Sequence, residues 1–437
     1  MTAIRAARTK RTCRDAGASG RSRRFIYGVA AVLGLGACAN TEFRVPQAAL
    51  DEHAYATLYP YFAEYCAVSE IRKKQGSGVD IEGGGPGGHS VFYLNGVCRQ
   101  HDTGYPEIAL CDEASGAMAG SGVGFSVNEH FRNANWVATE GRDFFYSGGL
   151  AAGEGVNPAS YARTQAMAQK MGILEGVVFH PEVFNDKPAG MSEHDYMYEV
   201  SISTDYAIGF GRDRYCARIP LDRDRMQAVV RYLNALNQPY RSGQKDFNWN
   251  VLRNNCAHLA HNALAAAGLW SEWPTDRPLV VAAFDFPVPK NEFVNLMRYA
   301  NDTPIADADV LYADRSARTV LLEQERLPTQ PGAIAQARPA VQPNDLYETK
   351  LRLIFFDEAI FGNYQQRFNR IFSEPRYTDL AANLAYFSAL YTAILTRGQP
   401  SGTIEGRADF YRHYDNAIVR AKAKVDKSLI KLYGRAG

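Results

Sequence analysis

Two short segments of the chain hold residue types that together could carry out nucleophilic chemistry. Residues 87–96, Gly-Gly-His-Ser-Val-Phe-Tyr-Leu-Asn-Gly, predict a strand with His89 near its start. Residues 254–262, Asn-Asn-Cys-Ala-His-Leu-Ala-His-Asn, predict a helix that begins at Cys256. A thiol becomes a nucleophile near neutral pH when its pKa is lowered and a base lies within hydrogen-bond reach. The free N–H groups of the helix start are expected to lower the pKa of Cys256 and could stabilise an oxyanion, and His89 could be the base.

The order and composition of the two segments resemble the circularly permuted branch of the papain-like NlpC-type superfamily, which includes the lecithin retinol acyltransferase family. In that branch the histidine strand precedes the cysteine helix, as it does here. The resemblance implies that Cys256 is the nucleophile, that His89 is the base, and that His101, twelve residues further on, orients or polarises His89. Asp102 is an alternative for the role of His101, and Asn255 is a further candidate for an orienting or oxyanion-binding residue.

The resemblance also implies a fold. An α+β core is expected, in which an antiparallel sheet packs against the nucleophile helix. Roughly 160 residues separate the two motifs, which is more than a minimal domain of this type needs. An insertion within this papain-like permuted core is therefore expected, together with additional helices at the N- and C-terminal ends.

Each of these residues also has a purely structural interpretation. Cys256 could be a buried structural thiol or half of a disulfide, and His89 could end a strand at the surface. His258 and His261, three residues apart on one helix face, could hold zinc together with Cys256, but such a pair without a further ligand cluster is more often part of the packing. The glycine run 83–88 lacks the Gly-Lys-Ser/Thr ending of a phosphate-binding loop. We therefore expect neither a metal nor another cofactor.

The N-terminus has the parts of an export signal. Residues 1–24 carry eight basic residues against one acid, and the uncharged apolar run 25–37 ends beside Cys38. At about 1.5 Å per helical residue this run is too short to cross a hydrocarbon core of roughly 30 Å. Its end, Leu-Gly-Ala-Cys, resembles the lipobox of bacterial lipoproteins. The resemblance implies removal of signal peptide 1–37 and acylation of Cys38, for example with palmitate; secretion with an unmodified Cys38 is the alternative.

The residues after the lipobox favour one location within the cell envelope, the outer membrane. Ala39 and Asn40 stand where inner-membrane lipoproteins often have aspartate, so the resemblance implies a lipid anchor on the periplasmic face of the outer membrane. Disulfides persist in that oxidising compartment. Five cysteines follow Cys38, namely Cys66, Cys98, Cys111, Cys216 and Cys256. Because five is odd, at least one thiol is expected to be free, and four could form two bridges whose pairing the sequence does not give.

Net charge argues against a nucleic-acid partner. Removal of residues 1–37 leaves 40 Lys+Arg against 46 Asp+Glu, a net charge near −6. Proteins that bind nucleic acid usually present a basic face. No segment after residue 37 is predicted to span a membrane, so the predicted attachment to the membrane is through lipid on Cys38.

Local patterns divide the chain into five predicted regions. After the signal 1–37, residues 38–80 are predicted to be a helical segment, residues 81–272 the papain-like core with its insertion, residues 273–345 an extension with a proline-rich linker, and residues 346–437 a helical region. Within the core, aromatic and β-branched content predicts strands at 89–94, 197–202 and 215–219. Apolar periodicity and a glycine cap predict helices at 221–237 and 256–267.

These observations predict a cell-envelope lipoprotein with a Cys/His thiol site. The predicted activity is that of a hydrolase (peptidase or amidase) or an acyltransferase, which acts on an amide or ester bond through an acyl-enzyme on Cys256. The substrate could be a peptide of peptidoglycan or a lipid ester, and the shape of the pocket decides between them. The alternative is a non-catalytic envelope scaffold or binding lipoprotein with the same fold.

Overall fold

A computed structural model describes residues 50–78, 88–112, 121–251, 253–275, 288–349, 363–398 and 407–434. All of them belong to the unit formed by residues 38–437. The predicted signal peptide 1–37, the predicted lipidation site Cys38 and most of the glycine run 83–88 lie outside the described residues.

The described strands form one large sheet and one small one. Their bounds are β1 Phe62–Val68, β2 His89–Asn95, β3 Val97–Arg99, β4 Ile108–Leu110, β5 Gly122–Ser126, β6 Val137–Glu140, β7 Arg214–Pro220 and β8 Ile334–Arg338. The large sheet has the order β6-β5-β2-β1-β7-β8, and every neighbouring pair in it is antiparallel. Strands β3 and β4 form a separate two-stranded sheet. The predicted α+β class with an antiparallel sheet is confirmed.

Helices cover most of the remaining described chain. Their bounds are α1 Glu52–Leu58, α2 Arg142–Ser147, α3 Pro158–Lys170, α4 Glu193–Ser201, α5 Arg223–Arg241, α6 Cys256–Ala266, α7 Pro289–Asp302, α8 Ala308–Ala313, α9 Arg315–Gln324, α10 Tyr364–Ser373, α11 Leu380–Arg397 and α12 Ala408–Tyr433. The helices predicted at 221–237 and 256–267 correspond to α5 and α6. In the described residues, no helix combines the length and the apolar character needed to cross a membrane.

The large sheet has a separate apolar core on each face. Successive side chains of a strand point to opposite faces, so in β1 Ala63 and Tyr65 join the core that contains α5, α6 and α7. Phe62 and Cys66 join the second core, which contains α2, α11 and α12. The helix of Cys256 therefore packs on one face of the sheet, and the C-terminal helices pack on the other.

The second face also holds a buried network of ion pairs. Glu64 on β1 is completely buried, and its carboxylate accepts hydrogen bonds from Arg142 at 2.6 and 2.8 Å and from Arg218 at 2.5 and 2.8 Å. Burial by itself would raise the pKa of Glu64, but the two guanidinium groups hold that pKa well below its ordinary range. The network thus lets an acidic residue occupy the middle of a core strand.

Two predicted region boundaries are wrong. Residues 38–80 were expected to be helical, yet they contain β1, an interior strand of the sheet. Residues 273–345 were expected to end in a linker, yet they contain β8, a strand that is mostly buried and pairs with β7. The sheet therefore draws its strands from three of the predicted regions. Residues 346–437 contain α10, α11 and α12, and Tyr347 forms an isolated bridge with Lys73 outside these helices.

The strand predicted at 197–202 is also wrong. The chain forms α4 there, and the side chain of Ser192 caps it by accepting a hydrogen bond from the N–H of Asp195 at 3.0 Å. Acidic residues in its first turn favour the helix electrostatically. The predicted strands at 89–94 and 215–219 are confirmed as parts of β2 and β7.

Candidate thiol site

Cys256 is the first residue of α6, and Asn255 caps that helix. The amide oxygen of Asn255 accepts hydrogen bonds from the N–H groups of Ala257 at 2.9 Å and His258 at 3.1 Å, and its amide nitrogen donates to the carbonyl of Val251 at 2.7 Å. Side-chain capping of this kind fixes where a helix begins. These contacts give Asn255 a capping role that positions the thiol, and its amide nitrogen has a second hydrogen besides the one donated to Val251.

Cys256 is the free cysteine among the described residues. The other four form two disulfides, Cys66–Cys216 and Cys98–Cys111. The first bridge joins residues that face each other in the register of β1 and β7. The sequence predicted at least one free thiol without identifying it, and the structure assigns it to the residue that was singled out as a nucleophile.

The thiol lies against the first residues of strand β2. The main-chain N–H of Ser90 donates a hydrogen bond to Sγ of Cys256 at 3.3 Å. Tyr65 on β1 is also near the thiol, whereas the buried Ser90 hydroxyl has no hydrogen-bond partner among the described residues. Tyr65 in turn donates to the carbonyl of Pro289 at 2.9 Å, which ties the start of α7 to the same place. Strands β1 and β2 and the start of α7 thus meet near the Cys256 sulfur, which is half-buried.

The expectation that the helix start lowers the pKa of Cys256 is wrong. Burial raises the pKa of the Cys256 thiol above its ordinary value, because the thiolate loses its hydration. The hydrogen bonds from Ser90 and from the first N–H groups of α6 lower this pKa, but burial outweighs them. The unliganded thiol is therefore protonated at neutral pH.

His89 directly precedes the residue that touches the thiol. Its Nε2 atom is buried and has no hydrogen-bond partner among the described residues. Burial, together with the nearby charge of Arg212, lowers the pKa of His89 to about 3, so the imidazole is neutral near pH 7. Strand alternation directs the Cβ of His89 to the face opposite that of Ser90. Within the described chain, no hydrogen bond joins the His89 ring to Cys256.

His101 and Asp102 lie away from this site. His101 is exposed, and its Nε2 is 2.7 Å from a carboxylate oxygen of Glu140. Glu140 pairs with Val123, next to the end of β2 that is far from His89. The reason is topological, since β3 leaves the large sheet after the turn at Gly96 and pairs with β4 instead of β2. The geometry therefore gives no support to an orienting role for His101, or for Asp102 beside it.

Arg212 is a residue of the site that the sequence interpretation missed. It is only 3% exposed, and its Nη1 donates to the carbonyl of Ser69 at 2.9 Å. Ser69 follows Val68, which is the register partner of His89. Burial lowers the pKa of Arg212 to about 10, while the charge of a Cys256 thiolate would raise it. Arginine is rarely buried, so no pattern in the sequence could single it out.

Asp205 forms a second buried charge at the same end of the sheet. Its carboxylate accepts hydrogen bonds from the hydroxyl of Ser126 and from Nδ2 of Asn128 at 2.9 Å. Burial raises the pKa of Asp205 to about 6, although these hydrogen bonds and the charge of Arg212 oppose the shift. Asp205 and Arg212 are close enough for their charges to interact, so the buried cation near the thiol has a buried carboxyl group in its neighbourhood.

A metal site involving His258 and His261 is not supported by their contacts. Nδ1 of His258 is 3.0 Å from the amide oxygen of Asn255. The ring of His261 is engaged at both nitrogens, by Glu292 at 2.6 Å and by the carbonyl of Ser271 at 2.9 Å. Among the described residues, the one cluster with metal-like spacing is Glu64 with Cys66 and Cys216. Its two sulfurs form a disulfide and its carboxylate binds arginines, so they are not free to coordinate a metal.

Comparison with known proteins returns no match: neither a family model nor a curated protein nor a solved structure matches this chain. The geometry around Cys256 therefore carries the functional argument. It brings together a free thiol, a helix start, a histidine strand and a buried arginine. It leaves His101 and Asp102 outside.

Proposed function

We propose that the protein is a thiol hydrolase or acyltransferase that acts on an amide or ester bond through an acyl-enzyme on Cys256. The observation that carries the proposal is the hydrogen bond from the N–H of Ser90 to the Cys256 sulfur. It joins the start of a helix to the start of the histidine strand, which is the pairing expected of a permuted papain-like core. A cysteine and a histidine held by two rigid elements provide the parts of a nucleophile–base pair.

The mechanism that we propose is general-base catalysis in which proton transfer accompanies attack. His89 is neutral near pH 7, but its pKa of about 3 makes it a weak base toward the protonated thiol, so its pKa must rise on substrate binding before it can accept that proton. The sulfur attacks the substrate carbonyl carbon, His89 takes the thiol proton, and that proton passes to the leaving amine or alcohol. Water or a second acceptor then cleaves the thioester and restores the thiol. For this step the start of β2 must rearrange, because strand alternation directs the Cβ of His89 to the face opposite that of Ser90.

The proposed location is the periplasmic face of the outer membrane, where lipid on Cys38 would tether the chain. This proposal is supported by the basic leader, the short apolar run and the four residues that resemble a lipobox. Cysteine usage agrees with it, because two disulfides suit an oxidising compartment. The substrates to test are therefore peptides of peptidoglycan and lipid esters.

A non-catalytic envelope scaffold or binding lipoprotein is the competing function. The observation that favours it is the burial that raises the thiol pKa and removes charge from His89. A structural cysteine in a packed site would have the same properties. Only reactivity with a carbonyl substrate separates the two functions.

The decisive experiment looks for the acyl-enzyme. Protein that begins at Ala39 is incubated with activated acyl esters and with peptide amides, and its intact mass is followed with time. We expect an adduct on Cys256 that is absent in Cys256→Ala and that forms at least about tenfold more slowly in His89→Gln, which lacks the general base. His101→Gln is the matched control and should acylate at the wild-type rate. Equal acylation in wild type and His89→Gln would refute the Cys/His assignment, and no adduct at all would favour the scaffold.

The proposed lipid anchor on Cys38 is tested separately. Cells that express the full chain are fed an alkyne analogue of palmitate, and the label is followed in membrane fractions. We expect label in the wild-type protein, none in Cys38→Ala, and release of the variant from the membrane fraction. Label that persists in Cys38→Ala, or its absence in the wild type, would contradict lipid anchoring.

A further inference from the structure

Arg212 carries a buried positive charge that no carboxylate of the described chain neutralises by an ion pair. Its Nη1 is anchored on the carbonyl of Ser69, and its Nε–H donates to no acceptor among the described residues. Asp205 is close enough to affect its charge, but the Asp205 carboxylate is bound by Ser126 and Asn128 instead. Burying a donor without a partner is unfavourable, and more so when the group is charged. Such a group suggests that a ligand completes the site.

The position of this charge associates it with the thiol. Ser69 follows Val68, Val68 pairs with His89, and the N–H of the next residue, Ser90, binds the Cys256 sulfur. Arg212 and Cys256 are also near enough for a thiolate to stabilise the guanidinium. The Nε–H of Arg212, which has no acceptor among the described residues, thus lies at the same end of the sheet as Cys256, the proposed nucleophile.

The geometry of the guanidinium identifies the kind of ligand. With Nη1 occupied, the remaining edge is formed by Nε and Nη2, which is the edge that binds a carboxylate through two parallel hydrogen bonds. We propose that Arg212 binds a free carboxylate of the substrate, next to the bond that Cys256 attacks. The inference rests on the proposed function and deepens it: the preferred acyl donors carry a carboxylate close to the scissile carbonyl, as a peptide with a free C-terminal carboxyl does.

Two alkylating reagents of nearly the same shape test this without requiring catalysis. Iodoacetate carries a carboxylate where iodoacetamide carries a neutral amide, and both form a thioether with Cys256 as iodide leaves. The ratio of the two rate constants for Cys256 is compared with the same ratio for N-acetylcysteine. We expect the ratio in the protein to be at least about tenfold higher, because a charge-assisted pair with arginine is worth roughly 1.5–3 kcal/mol. We also expect the iodoacetate rate to saturate with concentration.

Arg212→Gln should bring the ratio back to that of N-acetylcysteine. Arg214→Gln is the matched control, because Arg214 is also buried near the start of β7 but lies over the Tyr146 ring at 4.7 Å on the other face. It should keep the wild-type ratio. Circular dichroism and urea unfolding show whether each variant folds, and the two-reagent comparison in wild type needs no variant.

The inference is overturned if the wild-type ratio equals that of the free thiol, or if Arg212→Gln leaves the ratio unchanged. Failure of the proposed function gives a different result. In that case iodoacetate is still preferred, but no carbonyl substrate acylates Cys256. Conversely, acylation that depends on His89 without any preference for the carboxylate reagent would keep the enzyme and remove the role of Arg212.

Discussion

The main-chain N–H of Ser90 lies 3.3 Å from the sulfur of Cys256, although 166 residues separate the two in the chain. The contact joins a strand start to a helix start, so both ends of it are held by regular structure. Tyr65 on β1 and Arg212, which precedes β7, also lie near enough to the sulfur to interact with its charge. The chemistry available to the thiol is therefore decided by a few residues around positions 65, 89 and 212.

The first prediction concerns the titration of the thiol. Because burial raises its pKa, alkylation of Cys256 by iodoacetamide in the free protein should keep accelerating above pH 9. The thiol also makes the folded state less stable in alkali, since the unfolded chain releases this proton first. Rates measured from pH 6 to 10 on protein beginning at Ala39 check this. A plateau already reached at pH 8 would show a thiolate stabilised in the free protein.

The second prediction concerns stability in acid. His89 has its pKa lowered to about 3 in the folded protein, so only the unfolded chain binds a proton there between about pH 3 and 6.5. The contribution of His89 to the free energy of unfolding is complete above pH 6.5. It is lost as the pH falls through this window, by at most about 1.4 kcal/mol per pH unit. The free energy of unfolding, measured with urea at several pH values, should depend less steeply on pH in His89→Gln than in the wild type.

His130 and His258 also have pKa values lowered to about 4 by burial, so part of the slope will remain in that variant. His101→Gln provides the comparison, because its exposed ring is outside the site. An unchanged slope in His89→Gln would mean that the His89 ring is not buried as described.

The third prediction concerns the ion pairs on the opposite face of the sheet. Glu64→Gln leaves Arg142 and Arg218 buried without their main counter-charge, and should lower the free energy of unfolding by about 3–5 kcal/mol. Glu154→Gln removes a partner of Arg163 at a more exposed site and should lower the free energy of unfolding far less, because solvent screens such a pair. Urea midpoints measure both. Similar losses in the two variants would show that burial of the network matters little.

The fourth prediction compares the two disulfides. The Cys66–Cys216 bridge spans 150 residues of sequence and the Cys98–Cys111 bridge spans 13. A longer closed loop restricts the unfolded chain more, so removal of the first bridge by paired alanines should destabilise the protein by about 2 kcal/mol more than removal of the second. Equal losses, measured by urea unfolding, would argue against the loop-entropy account in this protein.

The parts of the site that the sequence predicted are those with local causes. An asparagine before Cys256 caps a helix, and an aromatic run after His89 forms a strand, so both elements could be identified from a few neighbouring residues. The distance between them is decided by packing. The spacing of His101 suggested a partner for His89, but the separate pairing of β3 carries it to the other end of β2.

Strand β1 and Arg212 were missed because they lack a local signal. Strand β1 is buried on both faces, so it shows no alternation, and Glu64 interrupts its apolar run. Arg212 could not be found because arginine is normally exposed. Both depend on partners far away in the chain. Helix α4 is different: aromatic and β-branched residues suggested a strand, although the cap at Ser192 and two acids in the first turn are local signals that favour a helix.

The order in which strands enter the sheet has a consequence for biosynthesis. Strand β1 is made early, yet its neighbour β7 begins at Arg214 and the edge strand β8 begins at Ile334. Until β7 has been synthesised, one edge of β1 exposes unpaired backbone groups, and until β8 follows, one edge of β7 does so; such edges invite association with other chains. A chain released from the ribosome or a translocation channel before about residue 340 cannot complete this sheet. A holding chaperone would therefore be most valuable while about the first three quarters of the chain wait for the last strand.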